Sequence, residues 1–215
     1  MTQNFIKRLL TSGILLIILF IVTYSNSFIF VLSLLIVGFL VCLEFNTILI
    51  KLVGSLFLPS KKFNSKFLIL MWIPFIYMFF IFCFLSFDIY KLKGPTFFLF
   101  IISICFFSDI GGYIFGKVIG GKKLTKISPK KTISGSIGSF VFSLIPIILF
   151  TKLDYLEIEF DTYGIIFSLL VSLVSQFGDL FISYLKRKAK IKDTGKILPG
   201  HGGILDRVDG IIIAV

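Results

Sequence analysis

Long apolar stretches alternate with short, polar, lysine-rich ones along the whole chain. A helix that crosses a bilayer takes roughly 20 mostly apolar residues. On that rule spans are predicted at 9–25, 28–50, 67–87, 96–115, 133–151 and 163–182. The expected fold is therefore all-α: a polytopic integral membrane protein with about six full transmembrane helices plus an incomplete C-terminal one. That last helix starts near Val208, and residues 210–215 are too few to cross. Neither an internal repeat nor a soluble segment interrupts the pattern, so 1–215 reads as one membrane domain, with N-terminal spans in 1–95 and the chemistry in 96–215.

Composition agrees with the pattern. The chain is 57% apolar, 17% aromatic and only 15% charged, with a mean hydropathy of +1.03. So little polar surface does not cover that much apolar surface in water, and the bilayer must be the solvent. The formal charge of +11 raises nucleic acid as a partner. The placement of the lysines argues against it, because they sit in short loops between apolar spans. Lys7 and Arg8 precede the first span; Lys51, Lys61, Lys62 and Lys66 follow the second. Lys117, Lys122, Lys123, Lys126, Lys130 and Lys131 follow the fourth, and Lys186 to Lys196 with Arg207 follow the sixth. Alternating spans put all of these on one side, opposite Asp154, Glu157, Glu159 and Asp161. By the positive-inside rule that side is cytoplasmic, as expected for a bacterial-type inner (plasma) membrane. Cys42, Cys83 and Cys105 lie inside apolar runs at unrelated spacings, which fits neither a disulfide framework nor a zinc site. The run after Lys7-Arg8 is followed by only a weak cleavage candidate, Ser25-Asn26-Ser27, so an uncleaved first span is expected.

Acids inside spans cost roughly 2.5–3.5 kcal/mol each on insertion scales, so they need a function or a partner. Glu44, Asp109 and Asp179 are in this class. Asp109 and Asp179 lie near the cytoplasmic ends of their spans and are expected to face a wet cavity; Glu44 is the weaker case, because the second span can end before it and leave it interfacial. If the sixth helix persists, Asp179, Ser183, Lys186 and Arg187 share one face. That stripe suits a metal-bound polyphosphate, although a snorkelling Lys-Arg pair beside a buried ion partner fits it too. A second cluster, Asp206-Arg207-Val208-Asp209, puts two carboxylates three residues apart. Mg²⁺ takes hard oxygen ligands, commonly one or two carboxylates plus substrate phosphates. Asp179, Asp206 and Asp209 are thus metal candidates, and without metal their mutual repulsion would raise their pKa values. The plainer reading is a salt bridge from Arg207 to one of them. Between the clusters, Pro199-Gly200-His201-Gly202-Gly203 is a permissive turn whose N–H groups can approach an anion, with His201 in a structural role. Ser128, Lys130, Lys131 and Thr132 precede a predicted helix start and form a candidate phosphate cradle, or an ordinary positive-inside loop.

Taken together, Ser183, Lys186-Arg187, Lys192-Asp193, Gly195, Pro199, His201-Gly202-Gly203, Asp206-Arg207 and Asp209 resemble the signature of the CDP-diacylglycerol synthase (phosphatidate cytidylyltransferase) family. Ser128-Pro129-Lys130-Lys131-Thr132 and the Asp109–Tyr113 segment followed by Gly116 are similar to further motifs of that family. The likeness covers 108–135 and 175–210. It departs at Ile133-Ser134-Gly135 and at Ile182, where the family pattern carries glutamates.

The resemblance implies condensation of CTP with phosphatidate, with Mg²⁺ and K⁺ as ions and a homodimer as the assembly. It also implies catalytic roles for Asp179, Lys186, Arg187, Asp206, Arg207 and Asp209. Substrate contacts are implied for Asp109, Ser128, Lys130, Lys131, Thr132, Ser183, Lys192, Asp193, His201, Gly202 and Gly203. The residues themselves argue only for metal-assisted phosphoryl chemistry at a membrane surface. A CTP-dependent transferase acting on another lipid, or a membrane transporter or subunit, stays open on the sequence.

Overall fold

The computed structural model describes residues 3–57, 65–125, 128, 131–152, 161–195, 197–198 and 202–215. Lys130 and His201 lie outside the described residues, as do Lys126, Pro129, Lys196, Pro199, Gly200 and the acidic residues of 153–160. Among the described residues the regular elements are helices: α1 (Gln3–Tyr24), α2 (Ser27–Phe57), α3 (Ser65–Val118), α4 (Ile133–Phe142), α5 (Ile145–Lys152), α6 (Thr162–Lys188), α7 (Leu205–Val208) and α8 (Ile211–Ala214). Among the described residues four stretches, Ser27–Leu52, Phe79–Val118, Ile133–Lys152 and Thr162–Lys188, are long and apolar enough to cross a membrane.

The breaks have local causes. Asn26 caps α2, its Oδ1 accepting from the Ile29 N–H at 3.0 Å. An 88–95 loop was expected, but the backbone stays helical there and breaks at Gly94 alone (φ 86°, ψ 170°). Only glycine takes that φ cheaply, and Pro95 then opens the next helical stretch without an N–H to satisfy. Pro146 similarly separates α4 from α5, since it has no N–H to continue the ladder. The sixth span does run on past the apolar stretch, to Lys188. It ends with Lys190 at φ 55°, and the Ile191 N–H closes back on the Lys186 carbonyl at 2.9 Å.

The chain forms two compact units. One comprises 1–87 with 185–208, the other 88–184 with 209–215. In the first, α2 buries a stripe at Phe30, Leu34, Val41, Phe45, Ile48, Leu49 and Leu52. The Phe79 ring lies where a Cβ on Gly38 would be. The opposite side of α2 stays bare: Phe39 is 62% exposed and Phe28 75%. Apolar exposure on that scale suits lipid, not water.

The second unit centres on Phe100, Ile101, Ile104, Cys105, Ile147 and Val171, with Ile211, Ala214 and Val215 packed against them. Polar side chains also sit inside it. Ser108 and Ser172 share a hydrogen bond of 2.8 Å, and Ser136 donates to Gln176 at 2.6 Å. Small residues let the helices meet closely here. A Cβ on Gly111 would stand 2.3 Å from the Gly138 carbonyl oxygen, and one on Gly135 would stand 2.8 Å from that of Gly112.

Backbone cannot retreat from such a contact as a side chain can. A Cβ on Gly138 would stand 2.5 Å from Phe115 Cβ and 2.7 Å from the Gly111 carbonyl oxygen, so Gly138→Ala is expected to cost about 1–3 kcal/mol of stability. Gly13→Ala is the control, since its Cβ would meet nothing within 4 Å. It should be neutral or stabilising by about 0.5–1 kcal/mol. Thermal unfolding of the detergent-solubilised chain would compare them.

Candidate functional site

In the second unit, the chain leaving α3 turns back on itself. Gly120 and Gly121 take positive φ (61° and 101°), and 122–124 then pair with 131–133. The Leu124 N–H donates to the Lys131 carbonyl at 2.8 Å and the Ile133 N–H to that of Lys122 at 3.0 Å. Thr132, extended at φ −115° and ψ 159°, caps α4: its Oγ1 accepts from the Gly135 N–H at 3.0 Å. Ser134 donates to the Gly120 carbonyl and fixes the turn.

This small hairpin delivers Lys131 to Asp179 on α6 as an ion pair, with both side chains partly exposed. One turn further along α6, Ser183 Oγ donates to Asp179 Oδ1 at 3.1 Å. Asp209 comes to the same helix: a Cβ on Gly178 would lie 2.6 Å from the Asp209 carbonyl oxygen, and one on Gly210 would lie 2.5 Å from Ser175 Oγ. The structure thus gathers Lys131, Asp179 and Ser183, and lays the backbone of Asp209 beside Gly178. Thr132 spends its oxygen on the helix cap, Ser128 accepts the Lys131 N–H at 3.0 Å, and Asp109 is on the exposed side of α3.

In the first unit, Asp206 is the hub. Its Oδ1 accepts from Lys186 Nζ at 2.7 Å. Its Oδ2 accepts from the N–H groups of Thr194 (2.9 Å) and Gly203 (3.0 Å), and Thr194 Oγ1 lies 3.1 Å from it. The pair is well covered, at 12% exposure for the Lys186 side chain and 7% for Asp206. Burial alone would push the Asp206 carboxyl up; the Lys186 ammonium and the two backbone N–H groups outweigh it and hold the group below its ordinary value. That is opposite to the rise expected from crowded carboxylates, and the cause is the lysine. Arg187, Lys192, Asp193 and Arg207 are exposed around this hub. Gly202 takes φ +87°, and a Cβ there would stand 2.9 Å from Asp206 Oδ2.

Glu44 departs from expectation. It is not interfacial: α2 continues to Phe57, and Glu44 is 3% exposed. Its carboxylate accepts from Thr194 Oγ1 (2.8 Å), the Ile204 N–H (2.9 Å) and the Leu205 N–H (2.9 Å). The acid in an apolar run was visible in the sequence, but its partners, some 150 residues on, were not.

Chemically, the arrangement offers two lysine–aspartate pairs, each poised to exchange a carboxylate for a phosphate on its ammonium. Among the described residues no three His, Cys, Asp or Glu side chains converge as a ligand group. The oxygens of Asp206 are committed to Lys186, Thr194 and Gly203, and those of Asp179 to Lys131 and Ser183.

Comparison with known proteins adds the family. The chain is 40% identical over 129 residues to the phosphatidate cytidylyltransferase of Helicobacter pylori, covering 60% of this chain and 48% of that protein. It is 41% identical over 123 residues to the enzyme of that name from Brucella suis, covering 56% and 44%. It is 48% identical over 111 residues to that from Rickettsia bellii, covering 49% and 48%. The chain spans about half the length of the curated relatives it matches. The family pattern itself matches residues 45–215, which takes in both lysine–aspartate pairs, and the chain belongs to the cytidylyltransferase family.

Proposed function

We propose that this chain transfers the cytidylyl group of CTP to phosphatidate, giving CDP-diacylglycerol and pyrophosphate, on the cytoplasmic face of a bacterial inner membrane. One observation carries the reading. A membrane chain, whose curated relatives bear the name phosphatidate cytidylyltransferase, holds Lys131 and Lys186 each against a carboxylate in the segments that belong to the family.

The reaction joins two anions, so the first task is electrostatic. A phosphatidate oxygen attacks the α-phosphorus of CTP in line; the bond from that phosphorus to the bridging oxygen breaks, and pyrophosphate leaves with the electron pair. The nucleophile is a phosphate monoester, already largely anionic near neutral pH, so little base catalysis is needed. What the chain must supply is positive charge at fixed positions. Lys131 is fixed by the α4 hairpin and Lys186 by the last turn of α6, and the aspartates keep each ammonium in place before substrate arrives. Arg187, Lys192 and Arg207, exposed in the unit that holds Lys186, draw the triphosphate in. Asp179 and Asp209 would hold Mg²⁺, which supplies neutralisation of the triphosphate and the leaving pyrophosphate when bound. Asp206 would take a metal only by giving up Lys186 and two backbone N–H groups.

Three outcomes are expected. Purified full chain in detergent, given labelled CTP and a panel of lipid acceptors, should label phosphatidate; an inert chain, or product only with another lipid, overturns the reading. Lys131→Met and Asp179→Asn should each lower kcat/KM for CTP by about 100-fold or more with folding retained, as loss of a charge-stabilising group does. Finally, because the Asp206 carboxyl is held low, its stabilising contribution is complete above the ordinary carboxylate value of about 3.9 and is lost as pH falls below it. The gap in unfolding midpoint between the unmodified chain and Asp206→Asn should therefore be widest near neutral pH and close on acidification.

A further inference from the structure

We infer that Glu44 is a positioning residue, which sets from inside a membrane-spanning helix the loop that carries Asp206 and steadies Lys186. Its catalytic consequence rests on the cytidylyl-transfer reading; the contact itself does not.

A carboxylate at 3% exposure in an apolar helix is costly unless donors saturate it. Glu44 is met by three uncharged ones, and all belong to the loop: Thr194 Oγ1, the Ile204 N–H and the Leu205 N–H. One turn along α2, Thr47 Oγ1 lies 2.7 Å from the Glu44 carbonyl oxygen and 3.1 Å from that of Thr194, so its one proton is shared between the helix and the loop.

The fit is steric as well. A Cβ on Gly203 would lie 2.2 Å from Glu44 Oε2, and one on Gly195 would lie 2.6 Å from Oε1. Both positions require glycine because the Glu44 carboxylate fills the space beside them. Three consecutive N–H groups at the start of α7 are then shared out, Gly203 to Asp206 and Ile204 and Leu205 to Glu44.

The two carboxylates flank one hydroxyl. Thr194 Oγ1 stands 2.8 Å from Glu44 Oε2, which takes its single proton, and 3.1 Å from Asp206 Oδ2. Displacing Thr194 therefore withdraws the backbone N–H that donates to Asp206 Oδ2, and Asp206 is what holds the Lys186 ammonium. A chain of contacts thus runs from α2 through Thr194 and Asp206 to the cation. A glutamine in place of Glu44 would be a poor substitute, because its amide has one acceptor oxygen and turns its NH₂ toward other donors.

Hydrogen exchange on the full chain in detergent tests this directly. In Glu44→Gln, the amides of 194 and 203–205 should exchange at least about ten-fold faster while the helices of 88–184 keep their protection. Thr194→Val should reproduce the effect, and Thr194→Ser, which keeps the hydroxyl, should not. With CTP and phosphatidate, KM for CTP should rise by about 10-fold in Glu44→Gln and Thr194→Val, with KM for the lipid unchanged. Unchanged loop exchange overturns the inference. So does loss of protection everywhere, accompanied by lower kcat at constant KM, which would mark Glu44 as merely structural. If the unmodified chain transfers nothing, the transfer reading fails, and the exchange data still decide the role of Glu44.

Discussion

A carboxylate in a low-dielectric setting has to be met by hydrogen-bond donors or by a cation, and this constraint shapes the segment after α6. Asp206 takes a lysine and two backbone N–H groups; Glu44 takes two N–H groups and a hydroxyl. Between them they accept nearly everything the turn at 203–205 has to give. The path of the loop follows from where those oxygens are. An unmet N–H in this place would cost about 1–3 kcal/mol, so the loop has few cheap alternatives.

Glycine makes the second contribution, by allowing approach. In the first unit Gly195 and Gly203 leave room for the Glu44 carboxylate. In the second, Gly111, Gly112, Gly135 and Gly138 let α3 and α4 meet backbone to backbone, and that contact sets the root of the hairpin carrying Lys131. Gly178 plays a similar part for the chain at Asp209. Bilayer burial supplies little drive for one apolar helix to meet another, so close packing and shared hydroxyls must do it. The Ser108–Ser172 and Ser136–Gln176 bonds are of that kind.

These two devices hold Lys131 and Lys186 each against a carboxylate without a large polar core. Each ammonium is fixed in place by its carboxylate partner. Position 182 shows how local the requirement is. The family pattern carries a glutamate there, whereas Ile182 is 3% exposed within the second unit, and the acid at 179 keeps its lysine and serine partners.

The apolar runs alone determined that the chain is helical and membrane-embedded, because period and length report directly on solvent and backbone satisfaction. They also placed the break before α2 and the apolar part of α6. Which charges meet was decided only by the tertiary structure. Lys131 and Asp179 are separated by a whole helical hairpin, and Glu44 lies 150 residues from Thr194. Spacing along a chain carries no information on such pairs. The direction of the Asp206 shift turned on the same point: neighbouring acids in sequence imply repulsion, and it took folding to set Lys186 and two backbone N–H groups against one of them.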